Sequence, residues 1–282
     1  MIVESSLTET RRIVRAARQQ GRSVGCVPTM GALHPGHVSL IEKARTGCDF
    51  VVATIFVNPT QFGPSEDFTR YPRTLDADLE MCRAAGADLL FTPPVAAMYA
   101  ASAQTIVRVT KLAQVLEGAH RPGHFDGVST IVTKLFNVTE PNRAYFGQKD
   151  FQQQLIIQQM VADLDVPVEI VTCPIIREAD GLAMSSRNRY LSVTERQQAT
   201  RLFRTLKLAE TLAEESTLTP PEIAQQMTDH LHSVGGVEVQ YAVIADSGTL
   251  ELLTERSDAA VALLAVKVGS TRLIDNQILR FR

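Results

Sequence analysis

Apolar residues in the first two thirds of the chain gather into short runs, and helix-periodic stretches separate them. The run at 50–57 is continuous rather than alternating, which predicts a strand buried on both faces of a parallel sheet. Shorter runs at 24–27, 87–92, 143–146 and 168–171 predict further strands. A β-branched run at 105–109 predicts one more strand. Ser6-Leu7-Thr8-Glu9 predicts a capping box opening the first helix, with Gly21 as its C-cap. Helices are expected to follow the runs, including one over 74–85 with Leu75, Leu79 and Cys82 at helix spacing. Beyond residue 191 the order changes. Ser192-Val193-Thr194-Glu195 caps a long helix toward Glu215, Thr219-Pro220-Pro221-Glu222 starts another, and strands follow at 237–244, 260–268 and 271–279. Strand–helix alternation predicts α/β; helices followed by strands predict α+β, with a domain boundary near 176–191.

Composition narrows the partners. The chain has 282 residues and a formal net charge of -3, so no bulk basic surface points to nucleic acid. Aromatics are only 6% and tryptophan is absent, which argues against a base-stacking platform. Cys26, Cys48, Cys82 and Cys173 lie far apart without a C-x-x-C pair, which fits neither a zinc nor a disulfide framework. Reduced, buried thiols and a cytoplasmic location are expected. Glu4, Glu9, Arg11 and Arg12 leave no apolar leader at the start, and no apolar run is long enough for a bilayer, so no membrane partner is expected.

Candidate chemistry sits where the strands end. Pro28-Thr29-Met30-Gly31-Ala32-Leu33-His34-Pro35-Gly36-His37 joins the strand at 24–27 to a helix. In an open α/β sheet ligands bind beyond the carboxyl ends of strands, and a helix start suits phosphate through its N–H groups and dipole. Gly31 lets backbone approach a ligand, Gly36 permits a bend, and His34 and His37 share a face if both lie on the first turn. Capping or surface decoration would explain one histidine; two histidines and two glycines at this junction point to a ligand site. Asn58 and Gln61 in the next polar loop can donate and accept, as a hydroxy acid requires, although turn chemistry suffices for Asn58. Lys149 in Gly147-Gln148-Lys149-Asp150 can neutralise phosphate as a point charge, and Asp150 suits an N-cap. The Gly/His/Arg loop at 117–128 either holds an anion through Arg121 or is simply solvated. Ser185, Ser186, Arg187 and Arg189 make a second phosphate candidate that is equally compatible with a hinge. The charged, proline-interrupted segment 66–73 is a candidate lid.

Together these blocks resemble a known family. The 28–37 stretch looks like the H-x-G-H signature of the nucleotidylyltransferase superfamily. Asn-Pro-Thr-Gln-Phe at 58–62, Arg-Pro-Gly-His-Phe-Asp-Gly-Val at 121–128, Gly-Gln-Lys-Asp-Phe-Gln-Gln at 147–153 and Met-Ser-Ser-Arg-Asn at 184–188 are similar to the pantoate–β-alanine ligases. The resemblance implies a Rossmann-like parallel sheet with helices on both faces over residues 1–177, binding nucleotide and pantoate. It implies a smaller C-terminal α+β domain over 178–282, a lid associated with the dimer. It further implies a homodimer that uses magnesium-ATP, (R)-pantoate and β-alanine through a pantoyl adenylate, in the pathway to coenzyme A. By the same carry-over His37, His34 and Lys149 are catalytic. Met30, Gly31, Ala32, Leu33, Pro35, Gly36, Gly147, Gln148, Asp150, Ile176, Met184, Ser185, Ser186 and Arg187 join them in binding ATP. Gln61 and Gln153, supported by Asn58, hold pantoate, and Gln61 also meets β-alanine. Asp78 is a metal candidate, with magnesium carried mainly by the ATP phosphates. Three other readings are a nucleotidylyltransferase that leaves the nucleotide on its product, a silent nucleotide-binding module and a fragment of a class I aminoacyl-tRNA synthetase. The Asn58, Gln61 and Gln153 set argues against the first, and the intact His34, His37 and Lys149 against the second. The short chain without a basic face argues against the third.

Overall fold

The computed structural model describes residues 1–64, 66–233 and 235–282. The chain divides into two compact units, Met1–Gln148 with Gln152–Pro174, and Lys149–Phe151 with Ile175–Arg282.

The first unit runs β1 (Ile2–Glu4), α1 (Leu7–Gln19), β2 (Val24–Thr29), α2 (Pro35–Gly47), β3 (Phe50–Ile55), α3 (Leu75–Ala84) and β4 (Leu89–Phe91). It continues through α4 (Val95–Met98), α5 (Glu117–His120), α6 (His124–Thr139), β5 (Arg143–Gly147), α7 (Phe151–Asp163) and β6 (Glu169–Cys173). The strands form one parallel sheet in the order β1-β4-β3-β2-β5-β6. Strand order therefore reverses at β2, and the crevice beyond the carboxyl end of such a strand is where ligands bind in these sheets.

Both faces of the sheet are covered, which explains the continuous apolar runs. Successive side chains on a strand point to opposite faces. Cys26, Val52, Phe91 and Phe146 pack with Val14 of α1, Ile131 of α6 and Ile156 of α7. Their neighbours Val27, Val51, Leu90 and Tyr145 pack with Leu40 and Ile41 of α2 and Cys82 of α3. Each fully buried Leu, Ile or Phe contributes about 1.5–3 kcal/mol, so the buried apolar positions of β2–β5 add to one of two cores. All four cysteines are free and buried.

Local expectations and structure differ in four places. Residues 105–109 make no strand: the Val107 N–H donates to the Thr130 hydroxyl at 3.0 Å, and Ile106 is 65% exposed. The short edge strand β1 has no visible pattern, being three residues that pair only with β4. The first capping box is half-formed. Ser6 accepts from the Glu9 N–H, but Glu4 takes the Ser6 N–H at 2.8 Å and Glu9 pairs with Arg12 instead. The long helix of the last third breaks at Thr200, whose hydroxyl donates to Gln197 O at 2.8 Å; α8 (Val193–Ala199) and α9 (Arg201–Glu215) flank it.

In the second unit, α10 (Pro220–His232) precedes β7 (Val237–Asp246), β8 (Ala260–Val268) and β9 (Thr271–Leu279), an antiparallel sheet in that order. Leu202 and Leu206 of α9, with Ile223 and Met227 of α10, pack on Ala262, Leu264 and Val266 of β8. Ile175–Arg177, expected with the first domain, falls in this unit. Arg177 bridges to Ala183 and ion-pairs with the buried Asp275 at 2.6 Å, which ties the segment to β9. No helix among the described residues is long and apolar enough to cross a membrane.

Candidate active site

β2 ends in a turn that only certain residues tolerate. Gly31 and Ala32 both have positive φ, 79° and 51°. A Cβ on Gly31 would lie 2.9 Å from Ile55 and 3.1 Å from the Asp78 carboxylate. The left-handed turn aims successive N–H groups inward: Ala32 and Leu33 donate to the two Asp78 oxygens at 2.9 and 2.8 Å. Successive N–H groups in such a turn form a concavity for an anion. Here the anion is the protein's own carboxylate, only 1% exposed, which also accepts from the Thr74 hydroxyl at 3.2 Å. Both Asp78 oxygens anchor the loop. Among the described residues no group of three or more His, Cys, Asp or Glu is placed to hold a metal ion.

The anchored loop delivers two imidazoles to the start of α2. His34 is the N-cap residue, its side chain makes no capping hydrogen bond, and Pro35 opens the helix. His37 lies on that turn, and the His34 and His37 ring centroids are 4.0 Å apart. Both rings are half-buried. Two potential donors at the positive end of a helix suit a multiply charged anion.

Beyond β3 a 3-10 turn, Pro59–Gln61, brings Gln61 to the same loop. Gln61 Nε2 is 2.9 Å from Met30 Sδ. Asn58, 1% exposed, donates to Gln61 Oε1 and Gly127 O, both at 3.1 Å, and accepts from the Tyr99 hydroxyl at 2.8 Å. Asn58 is thus occupied in holding Gln61. A cavity of about 310 Å³ adjoins the loop and is lined largely by apolar groups, Met30, Ile55, Phe56, Phe68 and Val95 among them. Gln153 is half-buried on α7, and among the described residues no hydrogen bond joins it to Gln61 or Asn58. Its neighbour Gln152 is structural: it accepts from the Glu117 N–H and donates to Leu112 O and Val115 O.

In the second unit Lys149 is half-buried and Asp150 exposed, and Asn276 of β9 donates to Lys149 O at 3.0 Å. Arg196 pairs with Glu178 at 2.9 Å and Asp180 at 2.7 Å, bracing the turn that leads into Met184–Arg187. Its hydrogen bonds hold the Glu178 carboxyl below the ordinary carboxylate range. Met184 N–H donates to Ile176 O at 3.0 Å, and Ser185 caps the 3-10 turn Ser186–Tyr190 by accepting from the Arg187 N–H at 3.3 Å.

Some residues supporting the site were not legible as such. Tyr99 follows a short helix with no motif around it. Arg121 is neither solvated nor free for an anion: it pairs with Glu66 at 2.7 Å, which also ties the candidate lid segment down. His124 is buried, and burial together with the Arg121 charge pushes its pKa down to about 4.

The family described as Pantoate-beta-alanine ligase matches residues 2–278. A pantothenate synthetase of Acetivibrio thermocellus is 49% identical over 278 residues, 99% of each chain. One from Geobacter sulfurreducens is 49% identical over 279 residues, again 99% of each. The crystal structure of pantothenate synthetase from Thermus thermophilus superposes with a TM-score of 0.94 at 43% identity, covering 99% of both chains. The Francisella tularensis pantoate-beta-alanine ligase, complexed with beta-gamma ATP and beta-alanine, gives a TM-score of 0.82 at 34% identity, covering 99% of this chain and 97% of that one. With a family match spanning nearly its whole length, the chain belongs to the pantoate–β-alanine ligase family.

Proposed function

We propose that this chain condenses (R)-pantoate with β-alanine, using ATP, through an acyl-adenylate route carried by the residues described above. A carboxylate is a poor acyl donor because its oxygen leaves badly, and adenylation divides one hard step into two easier ones. The pantoate carboxylate oxygen attacks the ATP α-phosphorus and pyrophosphate departs. The β-alanine amine then attacks the acyl carbon, loses a proton, and AMP departs as the amide forms. The protein's contribution is positioning and charge neutralisation, which require no nucleophilic Ser or Cys.

In this reading His34 and His37 donate to the phosphates at the α2 start, and Lys149 neutralises charge during adenylation. Met30 to Gly36, Gly147, Gln148, Asp150, Ile176 and Met184 to Arg187 line the nucleotide. Gln61 and Gln153 hold pantoate, and Gln61 meets β-alanine. Magnesium enters as part of the substrate, magnesium-ATP. A homodimer and a cytoplasmic location belong to the same proposal, the latter supported by four free, buried thiols.

The observation that carries it is the His34–His37 pair, 4.0 Å apart at the start of α2, on the loop that also contacts Gln61. Incubation with magnesium-ATP, pantoate and β-alanine, omitting one substrate at a time, should release AMP only when all three are present. His37→Ala and Lys149→Ala should slow adenylation at least about 100-fold with unchanged circular dichroism, the scale of losing a transition-state donor. Wild-type turnover in either folded variant would remove that residue from the mechanism.

A further inference from the structure

The segment 121–128 has a task that its resemblance leaves open, and hydrogen-bond chemistry reveals it. Arg121 Nη1 lies 3.0 Å from His124 Nε2. A guanidinium can only donate, so Nε2 must accept and the imidazole proton must sit on Nδ1. His124 Nδ1 lies 2.8 Å from Gln61 O, so that proton is donated to the Gln61 carbonyl. Arg121 is itself held by two 2.7 Å hydrogen bonds to the Glu66 carboxylate. Glu66, Arg121 and His124 thus form a chain of hydrogen bonds ending on the backbone of Gln61.

The same helix grips that turn at a second point. A Cβ at Gly127 would lie 2.5 Å from Thr60 O and 2.7 Å from Gln61 N, so only glycine lets α6 come this close. Gly127 O in turn accepts from Asn58, the residue that also donates to the Gln61 side chain. Backbone and side chain of Gln61 are therefore both oriented from α6.

We propose that His124, fixed as its Nδ1–H tautomer by Arg121, is a positioning residue that sets the Gln61 backbone and thereby aims the Gln61 amide at pantoate. This rests on the assignment of Gln61 to pantoate, and the test separates the two. His124 reaches the substrate through the Gln61 carbonyl and need not touch it. Its burial, with the pKa pushed down to about 4, keeps the ring neutral and the tautomer intact near neutral pH.

The two amide side chains discriminate. In His124→Asn the amide nitrogen takes the place of Nδ1 and can still donate to Gln61 O; in His124→Gln the amide lies at the Nε2 position and cannot. Steady-state kinetics on the whole enzyme, with Gln61→Ala alongside, provide the readout. His124→Gln and His124→Ala should raise the pantoate KM about tenfold, the size of one lost orienting hydrogen bond, with little change for ATP. His124→Asn should recover most of that loss. If Gln61→Ala raises the pantoate KM but His124→Gln and His124→Asn behave alike, the positioning role is overturned while the Gln61 assignment stands. If Gln61→Ala leaves the pantoate KM unchanged, both are overturned. Thermal melts of the four proteins identify a variant that fails to fold, and the Asn–Gln comparison then decides without His124→Ala.

Discussion

At the scale of single residues, burial decides what a side chain can do. His124 titrates normally near 6.5, but burial and the Arg121 charge bring its folded pKa down to about 4, against smaller opposing contributions from Gln61 O, Glu66 and Glu117. The unfolded chain therefore binds the extra proton first as pH falls. Stability linked to the neutral ring is complete above about 6.5, drains away below it, and is lost once pH passes about 4; the span is worth up to roughly 3 kcal/mol. Melting temperatures of wild type and His124→Asn measured from pH 7.5 to about 4.5 should show the steeper fall in wild type. Parallel curves would mean that His124 is protonated without cost. Asp78 carries a second prediction. Its two oxygens accept from the Ala32 and Leu33 N–H groups, and an Asn there turns one acceptor into a donor facing an N–H. Asp78→Asn should destabilise the protein by about 1–3 kcal/mol in denaturant melts, and adenylation should slow as the loop loosens. The chemistry of neither residue was legible in sequence. His34, His37 and Gln61 stand in recognisable loops, whereas the roles of Asp78 and His124 come from partners 45 and 63 residues away in sequence.

At the scale of elements, hydrophobic periodicity was reliable wherever burial was two-sided. Phe50–Ile55 and Ala260–Val268 could be read directly because nearly every position is buried. Residues 105–109 carry the same β-branched signal but have no neighbouring ladder in the described chain, and composition alone cannot supply one. The break at Thr200 was hidden for the opposite reason, since helical pattern continues on both sides of it. Gly127 shows how packing between elements overrides local propensity. Replacing a helical glycine by alanine gains up to about 1 kcal/mol of helix stability. Here the new methyl would meet the Thr60 and Gln61 backbone, which cannot rotate away, and overpacking of this kind costs about 1–3 kcal/mol. Gly127→Ala should therefore melt below wild type and raise the pantoate KM. A variant that melts higher with unchanged kinetics would show that α6 can shift away from the turn at no cost.

At the scale of the whole molecule, the switch from alternating α/β to helices followed by strands marked two architectures, and each unit has its own core. What the pattern could not reveal is the assignment of Lys149–Phe151 to the second unit, because that depends on Asn276, 127 residues further along the chain. Each unit carries some of the proposed nucleotide ligands: His34 and His37 in the first, Lys149, Ser186 and Arg187 in the second. Stability can test whether each contributes. A ligand that binds only the folded protein stabilises it by about 2.7 kcal/mol at roughly 100 times its Kd. For a chain of 282 residues that amounts to a rise in Tm of about 5 °C. Magnesium-ATP should produce this shift in wild type. His37→Ala and Arg187→Ala should each lower it at the same nucleotide concentration, since each removes a proposed phosphate ligand. A full shift in Arg187→Ala would take that arginine out of nucleotide binding, whereas a full shift in His37→Ala would contradict the assignment of the α2 start to the triphosphate.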